Sequence, residues 1–174
     1  MRLIADPDHP VRRGSHRPVT NMFANFIGLD EIVEDLGPER RDTILAIAAA
    51  YFGPMSQILH RYGGTISRLD NYSQGQRILA LFGALQAHED DPERAVRAGI
   101  EMNRALESVN LEIHSILSAV DLEPGKLTQR IGINTGFVFA GSVGSPRRRE
   151  YTVMGAQVNL TARLMSIAKV GDVL

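Results

Sequence analysis

The chain has 174 residues, 44% apolar and 22% charged, the size and make-up of a single soluble globular domain. A formal net charge of -1 argues against a nucleic-acid binder or a general anionic-membrane binder, and the lack of cysteine removes disulfides and thiolate metal sites. No run approaches the ~20 apolar residues of a membrane span and no apolar leader opens the sequence, so the expectation is a cytoplasmic domain without a membrane segment.

In chain order, residues 1–17 lack periodicity and read as a flexible arm or linker, leaving 18–174 as the domain. After Pro18, the dense apolar and small residues of VTNMFANFIG predict a central strand ended by Gly28. A short helix follows over 29–36 and is broken by Gly37-Pro38. From 39 to 61, Ile44, Ile47, Tyr51, Met55, Ile58 and Tyr62 recur at spacings of three and four, an amphipathic helix stopped by Gly63-Gly64. Residues 65–69 and 77–82 read as an antiparallel hairpin around the turn-rich 70–75. A long helix starts near Pro92, with Asp90, Asp91 and Glu93 suited to its N-terminus, and runs to about 118. Strands are expected at 127–134 and 137–143 around a Thr135-Gly136 turn, then an exposed loop with Arg147 to Arg149, a short strand at 151–153, and a helix over 156–168. The closing Gly171-Asp172-Val173-Leu174 reads as a turn entering another strand, so the domain is expected to be truncated before its last strands. This order predicts an α+β fold: a ferredoxin-like, mainly antiparallel sheet with helices packed on one face.

Four segments carry a family resemblance. They are VTNMFANFIG at 19–28; GGTI at 63–66 with GQRILALFG at 75–83; AHEDDPERAVRAGIEM at 87–102; and RIGINTGFVFAGSVGSPRRREYTVMGAQVNLTARLMSIAKVGDVL at 130–174. Together, in this order, they resemble the class III adenylate and guanylate cyclase catalytic domain. The resemblance implies two such domains pairing head to tail with active sites in the groove between them. One partner supplies two aspartates for two divalent cations, Mg2+ or Mn2+, and the other supplies base-reading residues plus an asparagine and an arginine. The 3′ hydroxyl of ATP or GTP attacks the α-phosphate and pyrophosphate leaves. The cations lower the cost of charge on the nucleophile, and the arginine stabilises the phosphoryl oxygens.

Carried over residue by residue, the resemblance puts Asn25 and Gln76 at the two metal positions. Neither brings the anionic oxygen that hard cations want. The hairpin is wider than in the commonest members, which leaves Asp70 as a further metal candidate. Asp30 and Glu31 read as helix caps. Arg68 matches the base-reading lysine, and Ala156 takes the position where adenylate cyclases commonly carry an aspartate. Asn159 and Arg163 match the catalytic pair and, four residues apart, share one helix face. The run Arg147 to Arg149 can bind polyphosphate or simply be solvated. These matches imply a degenerate cyclase domain. It is expected to act as a catalytically impaired dimerisation or nucleotide-sensing module in cyclic-nucleotide signalling, or else as one half of a heterodimeric cyclase acting on ATP or GTP. A homodimer or a heterodimer with another cyclase domain is the expected assembly.

Overall fold

The computed structural model describes residues 14–123, 125–145 and 148–174, and the side chains of these except at 143–145 and 148–150. Its centre is β1 (Ser15–Ile27), where every residue from Val19 to Phe26 is buried. The strand is covered on both faces, which is why it reads as a nearly continuous apolar and small-residue run. The remaining elements are α1 (Leu29–Leu36), α2 (Arg41–Arg61), β2 (Thr65–Asn71), β3 (Gln76–Phe82), α3 (Asp91–Ser118), β4 (Thr128–Ser145), β5 (Arg148–Met154) and α4 (Ala156–Ile167). The five strands form an antiparallel sheet in the order β2-β3-β1-β4-β5. Its first four positions are those of a ferredoxin-like split βαβ arrangement.

Alternate residues of β1 feed two cores. Met22, Ala24 and Phe26 join Ile47, Tyr51, Met55, Met102 and Ile113 under α1, α2 and α3. Val19 and Phe23 join Leu79, Val138, Val158 and Met165 on the opposite face, beneath α4. The α+β, mainly antiparallel expectation holds, but the helices are not confined to one face. The reason lies at Gly132, opposite Phe23 on β4. A Cβ there would stand 2.3 Å from the backbone N of Met165 and 2.7 Å from the carbonyl O of Thr161. Only a bare backbone lets α4 approach this closely.

Strand boundaries differ from expectation in places. β1 begins at Ser15, so residues 15–17 belong to the sheet, while 1–13 lie outside the described residues. β4 is continuous, with no turn at Thr135-Gly136. Its long partner explains this, because Thr135 and Gly136 pair with Thr20 and Val19, and the Thr20 and Thr135 hydroxyls meet at 2.8 Å. Gly171 does turn the chain (φ 87), and Val173 then forms a parallel bridge with Ile131.

Under the end of β1 that carries Asn25, a polar chain crosses the larger core. The Tyr51 hydroxyl donates to Gln129 Oε1 at 2.6 Å, and Gln129 Nε2 donates to Asn103 Oδ1 at 3.0 Å. Each buried group thereby has a partner, as the low-dielectric interior demands.

Candidate active site

Antiparallel pairing places Arg130 of β4, Asn25 of β1, Arg77 of β3 and Asp70 of β2 in one row across the sheet. Directly opposite residues point to one face, and this row lies on the α4 side, with Phe23.

Asn25 is fully buried. Its Nδ2 donates to the carbonyl oxygens of Gln74 (2.7 Å) and Gln76 (2.9 Å), while its Oδ1 accepts from Arg130 Nε at 2.9 Å. These partners fix the amide orientation, since two acceptors call for the NH2 and a guanidinium calls for the oxygen. The NH2 group sits between two carbonyl oxygens, where a cation would otherwise be attractive. Arg130 also donates through Nη2 to Gln74 Oε1 at 2.7 Å and through Nη1 to Ser166 O at 3.2 Å.

Gln76 does not join this group. Its register opposite Phe26 turns it to the other face, where Nε2 donates to Asp30 Oδ1 and Oε1 is buried without a bonding partner. Asp30 therefore takes a side-chain partner from β3; α1 opens from Gly28 with no side-chain cap, contrary to the capping expected of Asp30 and Glu31. Gly75 (φ 78) holds the turn against β1, because a Cβ there would lie 2.3 Å from Phe26 O.

Asp70 stands two strands from Asn25, about 10 Å away at ordinary strand spacing. Its Oδ2 is 2.9 Å from Arg68 Nε and 3.5 Å from Arg77 Nε. The Arg77 guanidinium lies between Asp70 and Asn25 in the row and also covers the rings of Phe23 (4.9 Å) and Tyr72 (5.0 Å). Among the described residues no cluster of three or more His, Asp or Glu side chains can hold a metal ion. The residues that the resemblance implies as metal positions thus do not, as placed here, fit a divalent pair. Asn25 has its oxygen committed to a cationic side chain, Gln76 faces away, and Asp70 is already neutralised by arginines.

Arg68 is exposed on β2 and shares the face of this row, but it is engaged by Asp70. On α4, Val158, Thr161 and Met165 are buried, which leaves Ala156, Asn159 and Arg163 exposed. Among the described residues, neither Asn159 nor Arg163 has a side-chain hydrogen bond or ion pair. The side chains of Arg147 to Arg149 lie outside the described residues. Sequence reasoning missed Arg130. Its signal is a charged residue in the otherwise apolar strand RIGI, and its meaning emerges only with the β1–β4 register.

The adenylate and guanylate cyclase catalytic domain model matches residues 11–174. The chain is 30% identical over 158 residues to adenylate cyclase 1 of Rhizobium meliloti (strain 1021), covering 91% of this chain and 22% of that protein. It is 33% identical over 150 residues to adenylate cyclase type 10 of Homo sapiens, covering 86% of this chain and 8% of that one. The chain therefore spans only a small part of these relatives' length. The solved guanylyl cyclase Cya2 superposes with a TM-score of 0.74 at 39% identity, over 92% of this chain and 75% of that one. With the family model spanning most of its length, this chain belongs to the adenylate and guanylate cyclase catalytic domain family.

Proposed function

We propose that this chain is a cyclase homology domain without a working metal site, catalytically impaired alone, that serves as a dimerisation and nucleotide-sensing module in cyclic-nucleotide signalling. The carrying observation is Asn25, whose NH2 donates to two carbonyls and whose single amide oxygen, uncharged, is already turned to the Arg130 guanidinium. No metal-assisted step is assigned to this chain. Among the described residues no helix is long and apolar enough to cross a membrane; a cytoplasmic setting is part of the proposal.

A second reading is favoured by Asn159 and Arg163. They are exposed and aligned on α4, and so are available to a nucleotide held by another chain. In that reading the domain is half of a heterodimeric cyclase. Its Arg163 fork and Asn159 amide donate to the phosphate oxygens of ATP or GTP bound by a metal-competent partner, stabilising charge as pyrophosphate departs.

Calorimetry with non-cyclisable ATP and GTP analogues, with and without Mg2+ or Mn2+, tests the first reading. Metal-independent binding that is lost in Arg163→Ala supports the sensing module. Tight binding that requires the metal, or turnover by the purified chain with Mn2+, overturns the metal-free assignment.

A further inference from the structure

Arg130 touches three elements at once: β1 through Asn25 Oδ1, the β2–β3 turn through Gln74 Oε1, and α4 through Ser166 O. The last contact is notable for where it falls. The final four carbonyls of a helix lack intrahelical donors and carry partial negative charge. α4 has no basic residue in its own last turn, so the guanidinium reaching across from β4 supplies both the donor and the positive charge. At the other end, Asn134 Nδ2 donates to Gln157 O (3.3 Å) and Oε1 (2.9 Å). The helix is thus tied to β4 at both ends.

We infer that Arg130 is a positioning residue that seats the C-terminal half of α4 and so sets the bearing of Arg163. The coupling is short. Arg163 lies three residues before Ser166, whose hydroxyl donates back to Arg163 O at 2.7 Å. A planar five-donor fork can serve three acceptors held in fixed directions, whereas a lysine ammonium on a flexible stem cannot hold them together. The consequence for nucleotide contact rests on the proposed function; the seating of the helix does not.

The absence of cysteine makes a direct measurement simple. Nitroxide labels at Leu45→Cys and Ile167→Cys, residues 66% and 71% exposed on α2 and α4, report the helix position by double electron–electron resonance. With Arg130 intact, one narrow distance is expected. Arg130→Lys and Arg130→Ala should each broaden it about twofold as the end of α4 detaches locally. Arg97→Ala, which removes an exposed pair with Glu93, should leave it unchanged. If Arg130→Ala does not fold, Arg130→Lys carries the test, since it keeps the charge and the stem. An unchanged width in the Arg130 variants overturns the inference, even if their nucleotide affinity falls. A broadened distance in a protein that binds no nucleotide supports it while removing the proposed sensing role.

Discussion

A carboxylate at residue 25 would face the carbonyl oxygens of Gln74 and Gln76 with no proton to offer either. Asn25→Asp therefore loses two buried hydrogen bonds and sets like partial charges against each other, and the ion pair gained with Arg130 offsets only part. The expected loss is about 1–3 kcal/mol by urea unfolding; a stabilised variant would show that the pocket is built for an anion. The same geometry predicts that Mn2+ leaves the wild-type melting temperature in place, because a native-state ligand must raise it. Tyr51 gives a pH prediction. Burial pushes its phenol well above the ordinary 10.0. Below pH about 10 the phenol is protonated in both the folded and unfolded states, and the folded state keeps its full advantage; above that, only the unfolded chain ionises freely and stability falls. Tyr51→Phe should cost about 1 kcal/mol at neutral pH through the lost bond to Gln129, yet show a shallower alkaline decline in urea midpoints above pH 10. Parallel declines would place the alkaline sensitivity elsewhere. At this scale the sequence showed that Asn25 and Gln76 are neutral, but not what Asn25 would be bonded to. Arg130 is 105 positions from Asn25, and only the β1–β4 register brings the two together.

Among the elements, the contact between β4 and α4 is the one with least slack. Gly132→Ala drives a methyl group into the Met165 and Thr161 backbone, neither of which can swing aside as a side-chain tip can. Such overpacking costs about 1–3 kcal/mol or more. The expected result is a lower urea midpoint with a loosened α4, read as faster amide exchange across 156–167. An unchanged midpoint would mean that the helix is not held at Gly132. Helix boundaries were legible from apolar spacing and from stops such as Gly37 and Gly63-Gly64, and α1, α2 and α3 fall within a residue or two of expectation. Strand limits were less so. Thr135-Gly136 has the local chemistry of a turn, but a 13-residue β1 offers it ladder partners, and tertiary pairing overrides local preference. The packing of α4 on the far face was hidden for a similar reason. It depends on Gly132 lying opposite Phe23, a fact of register rather than of composition.

For the whole molecule, the decisive question is whether one chain holds a complete set of catalytic groups. The described residues suggest a division of labour. Arg130 covers Asn25 at its end of the sheet, while α4 presents Asn159 and Arg163 outward without a side-chain hydrogen-bond or ion-pair partner among the described residues. On the proposed reading, a head-to-tail pair of identical chains would bring α4 of one copy to the Arg130-covered end of the other's sheet, so the purified chain should give no cyclic nucleotide with Mn2+ and either ATP or GTP. Mixed with a cyclase domain that carries both metal aspartates but has its own asparagine and arginine replaced by alanine, it should restore turnover if the heterodimer reading is correct. Arg163→Ala in this chain should then lower the restored rate by about 10²–10³, the usual cost of removing one donor to a developing charge. Asp70→Asn should leave that rate within about twofold, because Asp70 is an ion-pair partner of Arg68 and Arg77. A mixture that stays silent while each chain still binds nucleotide would favour the sensing module. A mixture whose restored rate depends on Asp70 instead would reopen the β2–β3 hairpin as a metal site.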